Sequence, residues 1–300
     1  MDLVTQVVLG AAVGEVVLGK KVGNKAILWG AIGGLIPDLD VLVTPFYSDV
    51  DGLFVHRGFS HSILFSFILA PLIGWLAYLI HRKRTNASKS DWMKVVFWAA
   101  FTHPILDYMT TYGTGAFWPF SDYRVEFSHV GIVDLFYTLP LILVLAVIMF
   151  INRSTLLRRK LILAVVLLST AYLGATAVNK LYVNKVFKKA YADSNIAYER
   201  FRTTALPLTN FLWMGLAETD SGYYMGLYSN FDREKPQEFV FIARNNEKLQ
   251  NFAHDENLQK LIKFTKGWYH VGEDKNGLYL VDLRFGKAGL DSKADYIFKF

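Results

Sequence analysis

Apolar residues gather into six long runs, at 3–18, 26–43, 63–80, 92–109, 132–151 and 161–178. Each is close to the ~20 residues that cross a bilayer core as a helix, so the pattern predicts six membrane spans. The first, second and fourth runs carry ionisable groups, and those helices are expected to face a protein interior rather than lipid. The first run lacks a basic leader and a small-residue cleavage site, so it is expected to stay as a helix.

The pattern changes near Lys180, where "NKLYVNKVFKKAYADSN" is polar and basic with helical spacing. From about Phe201, "FLWMGLAE", "GYYMGLYS", "EFVFIAR", "WYHVGED" and "GLYLVDLRF" are short alternating or aromatic runs between Asp, Asn and Gly turn signals. They predict strands, while "EKLQNFAHDENLQKLIKF" has helical spacing. The expected fold class is therefore mainly α: a polytopic membrane helical bundle over 1–180, then a small extracytoplasmic α+β domain over 181–300. Composition agrees, since 53% hydrophobic residues, a mean hydropathy of +0.26 and 19% charge exceed what a soluble core requires.

A net charge of +6 would suggest nucleic acid, but the cations are distributed by loop. Lys20, Lys21 and Lys25 follow the first run, Arg82, Lys83, Arg84 and Lys89 the third, and Arg153, Arg158, Arg159 and Lys160 the fifth. The alternate loops hold only Arg57 and Arg124. By the positive-inside rule the loops after odd runs are cytoplasmic. The amino terminus, the loops at 44–60 and 111–131 and everything after Val178 are then expected outside, with membrane lipids rather than nucleic acid as partners. With no Cys, any metal must be held by nitrogen and oxygen.

His103 and Asp107 stand four apart and so share one helix face, with Pro104 between them expected to bend the helix. Asp38 and Asp40 close the second run in "GGLIPDLDVLV". "HRGFSHS" adds His56, Arg57 and His61, with Gly58 permitting a tight path and Ser60 placed to cap the third helix. Taken singly, each motif has a plain structural reading: a solvated helix end, a capping His, a His–Asp pair. The inferred topology, however, sends all of them to one face. Asp40, His61, His103 and Asp107, with His56 and Asp134 nearby, have the mixed imidazole and carboxylate character of a zinc or manganese hydrolase site. Asp38 is read as a base and Arg57 as a clamp for an anionic group. Gln6 could hydrogen-bond a ligand, and His129 could join the site. Glu15 falls on the opposite helix face, and His81 is expected to be solvated.

The stretches "TQVVLGAAVGEVVLGKKVGNKAILWGAIGGLIPDLD", "HRGFSHS", "FTHPILDYMTTYGTGAFWPFSDYRVEFS" and "IVDLFYTLPL" resemble the YdjM-type inner-membrane metal-dependent hydrolases, over about 1–178. More distantly, the order Asp, His, then HxxxD is similar to the zinc-dependent phospholipase C and single-strand nuclease superfamily. That resemblance implies phosphoester hydrolysis, with Asp40, His61, His103 and Asp107 as one zinc site. Gln6 stands where the resemblance places a His, a departure that counts against a full trinuclear site. The expected activity is metal-dependent hydrolysis of a phosphoester such as a lipid or lipid-linked substrate. Ion or proton-coupled transport and a non-catalytic receptor or scaffold are the other classes compatible with the sequence.

Overall fold

The structure, a computed structural model, describes residues 1–236, 238–275, 277–286 and 298–300. The chain divides into two compact units, Met1–Phe127 with Ile132–Ala175, and Ser128–Gly131 with Thr176–Phe300. The first holds α1 (Leu3–Val22), α2 (Asn24–Leu35), α3 (Asp49–Val55), α4 (Ile63–His81), α5 (Lys89–Tyr108), α6 (Leu135–Ile148) and the start of α7 (Leu156–Asp193). Past Leu35, α2 tightens into 3-10 helices at Ile36–Leu42 and Thr44–Phe46, each with a Pro in its first positions.

Four of these segments, Leu3–Val22, Asn24–Phe46, Ile63–His81 and Leu156–Asp193, are long and apolar enough to cross a membrane. The other two expected spans differ for physical reasons. The α5 helix carries Lys89, Asp91, Lys94, His103 and Asp107, and α6 has only 14 residues. Pro104 does not end α5, which continues to Tyr108.

Local chemistry sets the helix starts. Asp2 caps α1 through Thr5 N, and Ser88 and Asp91 form a reciprocal capping box on α5. Ser62, rather than Ser60, caps α4 by accepting from Phe65 N. The expected solvation of His81 also gives way, because its ring stacks on Trp92 with centroids 5.1 Å apart.

Glycines determine how the first two helices meet. A Cβ at Gly10, Gly14, Gly30 or Gly34 would fall under 3.0 Å from backbone atoms of the facing helix. The facing pairs, Gln6 with Gly34, Gly10 with Gly30 and Gly14 with Ala26, descend along one helix as they ascend the other, so α1 and α2 run antiparallel in backbone contact. Small residues four apart on both helices allow this approach. Gly33 lies against Val96 and Ala99 of α5, and Gly74 of α4 against Met93. This packing brings the ends of α1, α2, α4 and α5 together.

The second unit contains the remainder of α7, a four-stranded antiparallel sheet, a two-stranded hairpin and α8 (Glu256–Phe264). The sheet has order β1 (Arg200–Ala205), β2 (Leu212–Glu218), β3 (Gly222–Ser229), β4 (Val240–Ala243); the hairpin joins β5 (Tyr269–Asp274) and β6 (Gly277–Asp282). Phe187 and Tyr191 pack with Trp213, Ala217 and Tyr228 in one core. Leu216, Tyr223, Trp268 and Val281 form another. The helical stretch expected after the fourth strand divides into a 3-10 helix at Asn246–Phe252 and α8.

Candidate metal centre

The amino end of α1, the 3-10 extension of α2, the turn before α4 and the last turns of α5 supply the site. Asp38, His61, His103 and Asp107 each contribute one donor atom, and these atoms lie within 4.8 Å of one another. His61 Nε2 is 2.9 Å from His103 Nε2. Asp38 Oδ1 is 3.2 Å from the first nitrogen and 3.4 Å from the second, and Asp107 Oδ2 is 3.3 and 3.6 Å away. His61, His103 and Asp107 are fully buried.

The opposite ring nitrogens fix the tautomers. His103 Nδ1 sits 2.7 Å from the Gly34 carbonyl, which only accepts, so this nitrogen carries the hydrogen. Ser60 Oγ gives its hydrogen to Asp40 Oδ2 at 2.7 Å. It can therefore only accept from His61 Nδ1, 2.9 Å away. In the neutral rings both Nε2 atoms are then lone pairs, facing each other and two carboxylates. Asp107 Oδ2 is buried with no hydrogen-bond partner. A proton satisfies one facing pair of acceptors at a time, whereas a divalent cation satisfies all four. This donor chemistry, imidazole plus carboxylate with outer groups orienting the rings, fits a divalent metal ion.

Without a cation, His61 takes up a proton. Burial pulls its imidazole down, but the neighbouring carboxylates of Asp107, Asp38 and Asp40 outweigh burial and raise it from 6.5 to about 10.

The structure rearranges the two aspartates. Asp38, read as a base, has Oδ1 among the donors, while Asp40, read as a ligand, lies outside the group of four. Positions two apart on a 3-10 helix point in different directions. Asp40 instead receives His56 Nδ1 at 2.9 Å, Arg57 N at 2.9 Å and the Ser60 hydroxyl. Asp40 thus supports His61 from behind. His56 belongs to this outer set, with its ring edge-on to Tyr112.

Arg57, at φ +58°, is buried with its guanidinium donating to Thr110 Oγ1 at 3.0 Å and to the Met1 carbonyl at 3.2 Å. Its Nε has no hydrogen-bond partner and stands 3.6 Å from Asp107 Oδ2. The Met1 amino group donates to Asp107 Oδ1. Gln6 adds a bond from Nε2 to the same oxygen at 3.0 Å, leaving its own Oε1 unpartnered. Its position near the amino end of the first apolar run was the signal for this role.

Two expected neighbours are engaged elsewhere. Asp134 caps α6 through Phe136 N and Tyr137 N and accepts from Tyr172 OH at 2.8 Å, so both its oxygens are committed. His129 lies in the second unit and pairs with Thr176 Oγ1 at 2.9 Å.

The profile of the family described as YdjM inner membrane protein matches residues 1–183, a span that contains all four donors. Inner membrane protein YbcI of Escherichia coli (strain K12) is 36% identical over 110 residues. The matched region covers 36% of this chain and 61% of that relative, less than two thirds of its length. No solved structure matches.

Proposed function

The chain belongs to the YdjM family of inner membrane proteins, and from that premise we propose that it is a membrane-bound, metal-dependent phosphoester hydrolase. Its substrate in this reading is a lipid or lipid-linked phosphoester at the extracytoplasmic face. The observation that carries the reading is the meeting of two imidazole and two carboxylate acceptors from three separate elements within 4.8 Å. A divalent cation bound there, zinc or manganese, would polarise a phosphoryl oxygen and lower the pKa of water.

The protein's own groups have distinct tasks. Asp38 is the least buried of the four donors, and its Oδ2 has no hydrogen-bond partner among the described residues, so it is the carboxylate placed to take a proton from water. Arg57 Nε, 3.6 Å from Asp107 Oδ2 and without a hydrogen-bond partner, is in this reading the cation for an anionic oxygen of the substrate. Asp40 and Ser60 hold His61, the Gly34 carbonyl holds His103, and Gln6 holds Asp107.

The surroundings of the donors support a lipid substrate. Leu39 and Val41, exposed, alternate with Asp38 and Asp40 on one 3-10 helix. Phe59, next to Ser60, meets Trp118 at 5.0 Å between centroids. Phe46 and Phe120 are 86% and 84% exposed. Aromatic side chains of this kind favour the membrane interface, where a phosphoester with an apolar tail presents its headgroup. The asymmetry of Lys and Arg supports the site facing away from the cytoplasm with both termini on that side, and in this reading α5 and α6 complete six crossings.

The test is hydrolysis by purified protein, supplied with zinc or manganese, of phospholipid and polyprenyl-phosphate substrates. Turnover should vanish on chelation and in Asp107→Ala. Turnover indifferent to both treatments would end the proposal.

A further inference from the structure

A second site lies at the other end of the same helices. Along α1, Lys20 is fourteen residues beyond Gln6, about 21 Å at 1.5 Å per residue. There a cleft of about 550 Å³ opens between the carboxy end of α1, the amino end of α5 and the turn into α7. Five cations line it, Lys20, Lys21, Arg153, Arg158 and Arg159, against the two acids Glu15 and Asp91.

Both acids are already paired. Glu15 takes Arg158 in a buried two-bonded pair, each bond 2.7 Å, and Asp91 takes Lys21 at 2.8 Å. Lys20, Arg153 and Arg159 remain with no hydrogen bond or ion pair among the described residues, and all three are exposed. The first turn of α7 opens into the same cleft, adding the positive end of a helix dipole. The flank of the cleft is apolar and exposed at Val16, Leu156 and Leu163.

We propose that this cleft binds the phosphate headgroup of an anionic phospholipid, with acyl chains lying against Val16, Leu156 and Leu163. Charge complementarity selects the headgroup, since three unpaired cations face one space and no unpaired acid opposes them. The adjoining apolar wall selects a lipid over a free anion. Basic recesses between transmembrane helices at the cationic membrane face hold anionic lipids by this combination. The site is separate from the metal centre and does not depend on the reaction assigned there.

The experiment titrates detergent-solubilised full-length protein with phosphatidylglycerol, phosphatidylcholine or inorganic phosphate and reads the thermal unfolding midpoint. Wild type should be stabilised by phosphatidylglycerol alone. In the triple variant Lys20→Gln, Arg153→Gln, Arg159→Gln, apparent affinity should fall on the order of 100-fold. A control triple variant, Arg82→Gln, Lys83→Gln, Arg84→Gln, removes the same charge from an exposed loop at the same end and should keep it. Arg153→Gln alone should give roughly a third of the logarithmic loss, a reading that stands even if the triple variant folds poorly. Equal loss in both triple variants would mean diffuse attraction and would overturn the proposal. So would equal stabilisation by inorganic phosphate, or no preference over phosphatidylcholine.

Discussion

His61 Nε2 and His103 Nε2 face each other at 2.9 Å, and in the neutral rings each hydrogen points the other way, toward Ser60 Oγ and the Gly34 carbonyl. Two lone pairs at this separation repel unless positive charge lies beside them, and the carboxylates of Asp38 and Asp107 close in on the same point.

Elemental analysis of purified protein should show bound zinc or manganese in wild type and its loss in His103→Ala and Asp107→Ala. Asp134→Ala should retain the metal, because that carboxylate is committed to the start of α6 and to Tyr172. Its cost is a helix cap, about 1 kcal/mol of stability. Metal loss in Asp134→Ala with the other two unaffected would relocate the site.

Asp40 supports His61 without being among the four donors. Asp40→Asn should therefore weaken metal affinity by about 10–100-fold while leaving a folded protein that still binds, as removal of an outer orienting carboxylate does. Competition with a chelator of known affinity measures this. Complete loss, matching Asp107→Ala, would make Asp40 a ligand.

Metal uptake should release a proton. His61 lies outside the spans, in the turn before α4, and its imidazole is raised from 6.5 to about 10, burial being outweighed by the neighbouring carboxylates of Asp107, Asp38 and Asp40. A raised folded value means that, in metal-free protein, the imidazolium stabilises the fold fully below about 6.5 and ceases to do so as pH rises through about 10. A cation needs the bare nitrogen, so below about 10 each binding event expels this proton. Affinity should then weaken about tenfold per unit fall in pH. Calorimetric titrations in Hepes and Tris, whose ionisation heats differ, count the protons released.

Much of the donor set was legible in the sequence because HxxxD on a helix needs no tertiary information: positions 103 and 107 must share a face. The distinction between Asp38 and Asp40 was not legible. It depends on α2 tightening into a 3-10 helix past Leu35, a local change of pitch that composition does not signal. Strands such as "GLYLVDLRF" were visible through alternation, and β6 ends at Asp282 where a short 3-10 turn takes over. The α1–α2 seam could have been found from Gly10, Gly14, Gly30 and Gly34, since two small residues four apart on each helix carry that signal.

That seam gives a stability prediction. Gly14→Ala places a methyl group against the Ala26 carbonyl and should cost about 1–3 kcal/mol by overpacking. It should also weaken metal binding, since α2 carries the carbonyl that holds His103 and its 3-10 extension carries Asp38. Gly174→Ala meets nothing within 4 Å and should be neutral or slightly stabilising. Thermal unfolding in detergent compares the two variants. A neutral Gly14→Ala would contradict the close approach.

The buried pair of Glu15 and Arg158, with side chains 4% and 3% exposed, should resist removal of either partner alone. Glu15→Ala is expected to cost about 3–5 kcal/mol, and the double variant Glu15→Leu, Arg158→Met should recover most of it. Unfolding midpoints of the single and double variants decide this, additive losses being the contrary outcome.

The two imidazoles differ in how inheritance can alter them. His61 depends on a hydroxyl and an acid, both side chains that a codon change can delete or exchange. His103 leans on main chain at Gly34, and every amino acid brings an identical oxygen to that place. Drift in the surrounding code can thus retune the first ring while the second keeps its aim, provided residue 34 stays small enough to sit where it does.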